Sequence, residues 1–266
     1  MPERAPVTDR LDRFRLAIDA LRQSLATHSV TLLVWTRPEG PPGRGSATCV
    51  ELRGMRCLVT AAHVVRNQLP ENIGIVFSPS PRPNNAFVQS VKYVGGGEDE
   101  PLDIAVLVLS DAGADEIAKY KTFVGEERLL PNISSESDRL FVVYGTPEIL
   151  SPMNEEQKQL QAVPLCYATI SMSSMPVGLD PLNDIALEYP KATNISVTEV
   201  GAVEAPSPPG MSGGGIWLVA EPVEGQFWNP QESKLVGVQH GWYKKAEWVR
   251  GTQIQHGVAL LNKVDD

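Results

Sequence analysis

Three cysteines, Cys49, Cys57 and Cys166, are all that the 266 residues contain. Three thiols cannot all pair within the chain or form a disulfide framework, so they read as free and mostly buried. Basic residues are also few, with 23 Lys and Arg against 32 Asp and Glu and a formal charge of −9. No basic stripe is left to neutralise phosphates, which excludes nucleic acid and anionic membrane as partners and leaves a protein or peptide. No apolar run is long enough to cross a bilayer. Met1 to Leu25 carries charge throughout with no uninterrupted apolar core, so no signal peptide is read and a cytoplasmic setting is expected. The four histidines and three cysteines are scattered without zinc-ligand spacing, so neither a metal nor another cofactor is expected. No internal repeat is visible.

What is present is 42% hydrophobic residues with 22 Gly and 22 Pro, enough apolar material for a substantial core. Many short apolar runs separated by Gly, Pro, Asn and Ser point to β-strands joined by turns. The exception is at the start, where Leu11, Phe14, Ile18, Leu21 and Leu25 recur at spacings of three and four and predict a helix over residues 8–26, N-capped by Thr8. Such a helix either packs on the domain or serves as an arm for a regulatory protein partner. His28 would cap its C-terminal end. From Ser29 the period changes to strands: Ser29 to Thr36, then Gly45 to Leu52 and Arg56 to Thr60, a hairpin turning at Arg53-Gly54.

The chemistry concentrates in Gly210-Met211-Ser212-Gly213-Gly214-Gly215, entered through Pro206-Ser207-Pro208-Pro209 and left through the apolar Ile216-Trp217-Leu218. Glycines beside a serine remove Cβ atoms that would block a substrate and permit backbone angles that aim N–H groups at one point. A serine hydroxyl is a weak nucleophile and needs a base, which in turn needs an orienting group. His63 follows a strand and two small residues, Ala61-Ala62, where an imidazole can stand uncrowded. Asp103 stands at the mouth of the apolar run Ile104 to Leu109, where a buried carboxylate requires a partner.

Together, Thr60-Ala61-Ala62-His63, Asp103-Ile104-Ala105-Val106-Leu107 and Gly210-Met211-Ser212-Gly213-Gly214 resemble the three active-site signatures of trypsin/chymotrypsin-like serine proteases, in the order His, Asp, Ser. The resemblance covers residues 30 to 262 and implies an all-β fold of two antiparallel six-stranded barrels. The first would span residues 28–115 and the second residues 138–266, leaving residues 1–27 as a helical extension. His63, Asp103 and Ser212 would be catalytic, and the Gly210 and Ser212 amides would form an oxyanion hole. Val142 to Pro147 resembles the start of the second barrel in bacterial members, which puts the crossing between barrels at residues 111–139 with a short helix at Ala114 to Tyr120. Further strands are expected at Leu160 to Ser171, Ile185 to Tyr189, Ile216 to Ala220 and Lys234 to Trp242, with a last one at His256 to Leu261.

Pro206, His240, Gly241, His256 and Gly257 would line the specificity pocket. Pro206 stands where trypsin carries its pocket Asp, removing the support for cleavage after Lys or Arg. His240 resembles the pocket histidine of glutamate-specific bacterial relatives and His256 would lie at the opposite wall, so that two imidazoles would receive an acidic side chain. Met211 replaces the carboxylate that accepts a freshly cut amino terminus in animal digestive members, so activation by that route is not expected.

The resemblance implies a serine endopeptidase acting through an acyl-enzyme, narrow in specificity or activated by a partner. The alternative is a protease-like peptide-binding domain that is latent without its partner. A serine esterase would use the same triad, but β-prone residues follow Ser212 where a strand–helix elbow would need a helix.

Overall fold

The structure is a computed structural model that describes residues 20–37, 40–77, 86–97, 100–133, 139–154, 159–190, 196–198, 201–203, 206–220 and 228–262. Its first sheet contains β1 (Ser29–Val34), β2 (Gly43–Leu52), β3 (Met55–Thr60), β4 (Ile73–Val76), β5 (Val88–Gly95) and β6 (Asp103–Leu109), paired antiparallel in the order β4-β1-β2-β3-β6-β5. The β2–β3 hairpin turns at Arg53 and Gly54, both at positive φ (52° and 78°), which suits the right-handed twist of the flanking strands.

A second sheet is built from β7 (Leu140–Gly145), then, after a small β8 (Met153–Asn154) and β9 (Gln159–Leu160) ribbon, from β10 (Leu165–Ile170), β11 (Asp184–Glu188), β12 (Ser196–Thr198), β13 (Gly201–Val203), β14 (Gly215–Leu218), β15 (Lys234–Tyr243) and β16 (Trp248–Gln253). Their order is β11-β16-β15-β14-β7-β10-β12-β13, six strands extended at one edge by the β12–β13 hairpin. Four helices accompany the sheets among the described residues: α1 (residues 20–26), the single turn α2 (Ala62–Val65), α3 (Asp111–Ala118) and α4 (Ile254–Asn262). Helix α3, N-capped by the Ser110 hydroxyl, lies in the expected crossing.

Strands buried on both faces explain the unbroken apolar runs. Ala105, Leu107 and Leu109 of β6 enter the first-barrel core, while Ile104 and Val106 enter a seam between the barrels. On β7, Phe141 and Val143 fill the second-barrel core while Leu140, Val142 and Tyr144 enter the same seam. Leu21 and Leu25 of α1 belong to this seam and are fully buried. The described end of the N-terminal helix is therefore core, not a free arm. Thr8, Leu11, Phe14 and Ile18 lie outside the described residues.

One expected strand is absent: residues 256–261 are helical in α4, and the last strand is β16. A short apolar run does not separate a buried strand from a helix by period. Here Ile254, Gly257 and Leu261, spaced three and four apart, turn inward. Gly257 faces the first barrel rather than a pocket, and a Cβ there would lie 3.1 Å from Ile104 Cδ1. The three cysteines are buried and none is in a disulfide.

Because the seam holds both barrels, Leu25→Ala is expected to lose about 2–5 kcal/mol of stability. Urea unfolding that shows no loss would place α1 outside the cooperative core.

Candidate active site

Asp103 opens β6 with its backbone N–H donating to Thr252 Oγ1 of β16 at 3.1 Å. Its carboxylate faces α2, where Oδ1 accepts the backbone N–H of His63 at 2.9 Å and Oδ2 lies 2.7 Å from His63 Nδ1. Two contacts fix both the position and the rotation of the imidazole, and a carboxylate acceptor sets Nδ1 as the protonated nitrogen. Nε2 is then the basic nitrogen, and the His63 side chain is 39% exposed. Burial pushes the Asp103 carboxyl upward, but the hydrogen bonds from His63, with electrostatic attraction to the His63 and His240 rings, outweigh it and hold the group below its usual value.

His240 was expected on a pocket wall. Its Nδ1 instead lies 3.4 Å from Asp103 Oδ2, with the side chain only 6% exposed. The cause is a β-bulge: Gln239 pairs with Gly251 and Gly241 with Arg250, leaving His240 as the unpaired residue whose side chain is re-aimed. Burial pushes its pKa down to about 4, so the ring is neutral at neutral pH. His256 lies on α4, with burial again lowering its pKa ahead of a hydrogen bond with Leu182. Two imidazoles facing an acidic substrate side chain is thus corrected: one turns to Asp103 and the other belongs to a helix. Gly241 stays on β15, its carbonyl accepting from Gln239 Nε2. The Pro206 carbonyl accepts the Tyr189 hydroxyl at 2.8 Å, which ties down the approach to the serine turn.

The serine turn is accounted for donor by donor. Met211 N–H donates to Pro208 O, Gly213 N–H to Gln239 O and Gly214 N–H to Met211 O, at 2.8, 2.8 and 2.7 Å. Among the described residues, Gly210 N–H and Ser212 N–H have no acceptor. Gly210 and Gly213 hold φ of +91° and +90°, which side chains rarely adopt, and a Cβ on Gly213 would overlap Ser46 O and Thr60 Oγ1. Met211 is buried in the second-barrel core. Gly45 packs between Val64, the neighbour of His63, and the Ser212 carbonyl.

Residues that sequence reading did not single out complete the site. Ser46 N–H donates to Ser212 O at 2.7 Å, Thr252 carries the Asp103 amide, and Gln239 O holds Gly213. Gly45-Ser46 was a visible signal, two small residues near the start of a strand. His28 was expected to cap the helix, but its ring turns elsewhere: it donates through Nδ1 to Thr122 O, accepts Arg128 NH1 at Nε2 and stacks on Trp217 at 5.8 Å. Among the described residues no group of three His, Cys, Asp or Glu side chains gathers as a metal site.

The chain resembles solved structures. One is the active form of the Rv3671c protease from M. tuberculosis, 16% identical with a TM-score of 0.51, the match covering 94% of this chain and 86% of that one. Another is the thermostable serine protease AL20 from an extremophilic microorganism, 14% identical with a TM-score of 0.50, covering 91% and 97%. No protein-family model and no curated protein sequence matches. At this identity the likeness shows the fold, the double barrel of chymotrypsin-like serine proteases.

A buried neutral His240 makes stability pH-dependent. The unfolded chain binds a proton near pH 6.5 that the folded chain accepts only near pH 4, so stability falls as pH drops through that window, by about 3 kcal/mol in all. Denaturant titrations across the window should show this slope, and His240→Gln should flatten it. An unchanged slope in the variant would assign the titration elsewhere.

Proposed function

We infer, for a chain with the double-barrel fold of serine proteases, that it is a serine endopeptidase working through His63, Asp103 and Ser212. The observation carrying this reading is the His63–Asp103 pair, bonded at both the ring and the backbone of the histidine, in the fold whose serine turn is Gly210 to Gly214. Ser212 Oγ attacks the peptide carbonyl carbon while His63 Nε2 takes the hydroxyl proton. The oxyanion forms toward the Gly210 and Ser212 N–H groups, and His63 returns the proton to the leaving amine as the C–N bond breaks. Water, deprotonated by His63, then hydrolyses the acyl-enzyme and frees Ser212. Asp103 stays ionised throughout and keeps the imidazole in its tautomer.

Substrates in this reading are proteins or peptides. The acidic preference loses its support once His240 turns to Asp103, and Pro206 offers no carboxylate for Lys or Arg. A site ordered only by a partner is less favoured, because the turn is already bonded residue by residue. Any regulatory contact through the N-terminal helix would avoid Leu21 and Leu25, which are buried, and could use its other face, where Gln23 is exposed.

The test is labelling by a fluorophosphonate probe, followed by a peptide-library cleavage profile. The parent should label and cleave, Ser212→Ala should do neither, and His63→Ala should lose on the order of 10⁴-fold or more in rate. A folded parent that does not label would favour the latent peptide-binding reading.

A further inference from the structure

We propose that the Ser46 hydroxyl and the Glu148 backbone N–H are positioning groups that fix the peptides on either side of Gly210, so that the oxyanion hole stands formed before substrate or partner arrives. The proposal rests on the endopeptidase reading of the same site.

The argument begins with the two carbonyls that flank the Gly210 amide. Glu148 N–H donates to Pro209 O at 2.8 Å. In a trans peptide the C=O and N–H point in opposite directions, so anchoring the Pro209 carbonyl on Glu148 turns the Gly210 N–H away from that loop. On the other side, the Ser46 hydroxyl donates to Gly210 O at 3.0 Å. The same oxygen accepts Thr146 N–H at 2.8 Å, so the hydroxyl cannot swing free, and its hydrogen is directed at Gly210. Rotation of either peptide would break one of these bonds, and the one at Ser46 lies where that residue is fully buried and the loss is costly.

Ser46 holds the serine as well. Its N–H donates to Ser212 O, and its own carbonyl accepts Thr60 Oγ1 at 2.7 Å. All three polar groups of one first-barrel residue are therefore bonded, and two of them reach the nucleophile turn of the second barrel. Glu148 adds a steric limit: a Cβ on Gly210 would lie 2.6 Å from Glu148 N. The consequence is the donor pattern already described, with Gly210 and Ser212 N–H the two amides of the turn that have no acceptor among the described residues. In a fold whose Met211 cannot accept an ammonium, this pair of anchors does the ordering.

Two variants test it independently. Ser46→Ala removes the hydroxyl but keeps the backbone bond to Ser212. Glu148→Pro removes the N–H at the first residue of a 3₁₀ turn, where proline is tolerated, and Pro147 before it already has the extended angles (φ −67°, ψ 138°) that a following proline demands. Removing one oxyanion donor costs about 10²–10³-fold in rate, so a loosened donor should cost roughly 10–100-fold in the second-order rate of fluorophosphonate labelling and in kcat. KM for a cleaved peptide should stay within about twofold, affinity for a peptide aldehyde should fall in parallel with kcat, and the pH profile of labelling should keep its shape because His63 and Asp103 are untouched.

A purely structural role would lower the melting temperature of both variants and leave the folded protein labelling at the parent rate, and that result overturns the proposal. If the parent itself neither labels nor cleaves, the endopeptidase reading fails and this inference falls with it. An active parent with unaffected variants removes the clamp alone.

Discussion

An ionised carboxylate cut off from water costs several kcal/mol unless its oxygens are engaged, and Asp103 is buried at the seam of two barrels. The arrangement around it follows from that cost. The His63 N–H and ring answer from α2, His240 from a bulged β15, and Thr252 of β16 takes the adjacent amide. Three elements from both barrels must therefore arrive together. A one-turn helix directly after β3 and a bulge in β15 are the local irregularities that deliver them. An imidazole held by both its ring and its backbone keeps one orientation, which is how a burial constraint becomes a geometric one.

The sequence carried this site unevenly. The pairing of His63 with Asp103 was legible because one follows the end of a strand and the other opens a strand, and the turn at Ser212 was legible from its glycines. The strands of both sheets were legible from unbroken apolar runs, and the β2–β3 turn from Arg53-Gly54. The orientation of His240 was hidden, since a bulge depends on the register of two strands 10 and 6 residues long and on nothing in the local composition. The α4 segment misled for a related reason. Val258 to Leu261 is equally apolar as strand or helix, and its packing on Ile104 decides the matter. The contacts of Ser46 and Glu148 were hidden most completely, because their partners are backbone carbonyls more than 60 residues away, at Gly210 and Pro209.

The seam also explains the end of the N-terminal helix. Leu21 and Leu25 share a cluster with Tyr144, Trp217 and Leu261, so residues from before the first barrel and after the second close the same core. Beside it, Arg128 is held by His28, Gln231 and the Ser233 carbonyl while its guanidinium lies 5.3 Å from the Trp217 ring. The segment between the barrels is thereby bonded into the interior at its middle rather than merely looping across.

Because the turn bearing Ser212 belongs to one barrel and its anchor Ser46 to the other, the two halves of the molecule are not interchangeable parts. A chimera joined at the crossing segment, with its front half from one source and its rear half from another, would have to rebuild two bonds at once, from the Ser46 hydroxyl to Gly210 O and from the Ser46 amide to Ser212 O. Where the second half failed to present those carbonyls, the buried polar groups of residue 46 would be left unpaired at a cost of about 1–3 kcal/mol each. Residue 46 and the turn near residue 210 therefore behave as one unit split between two halves of the chain.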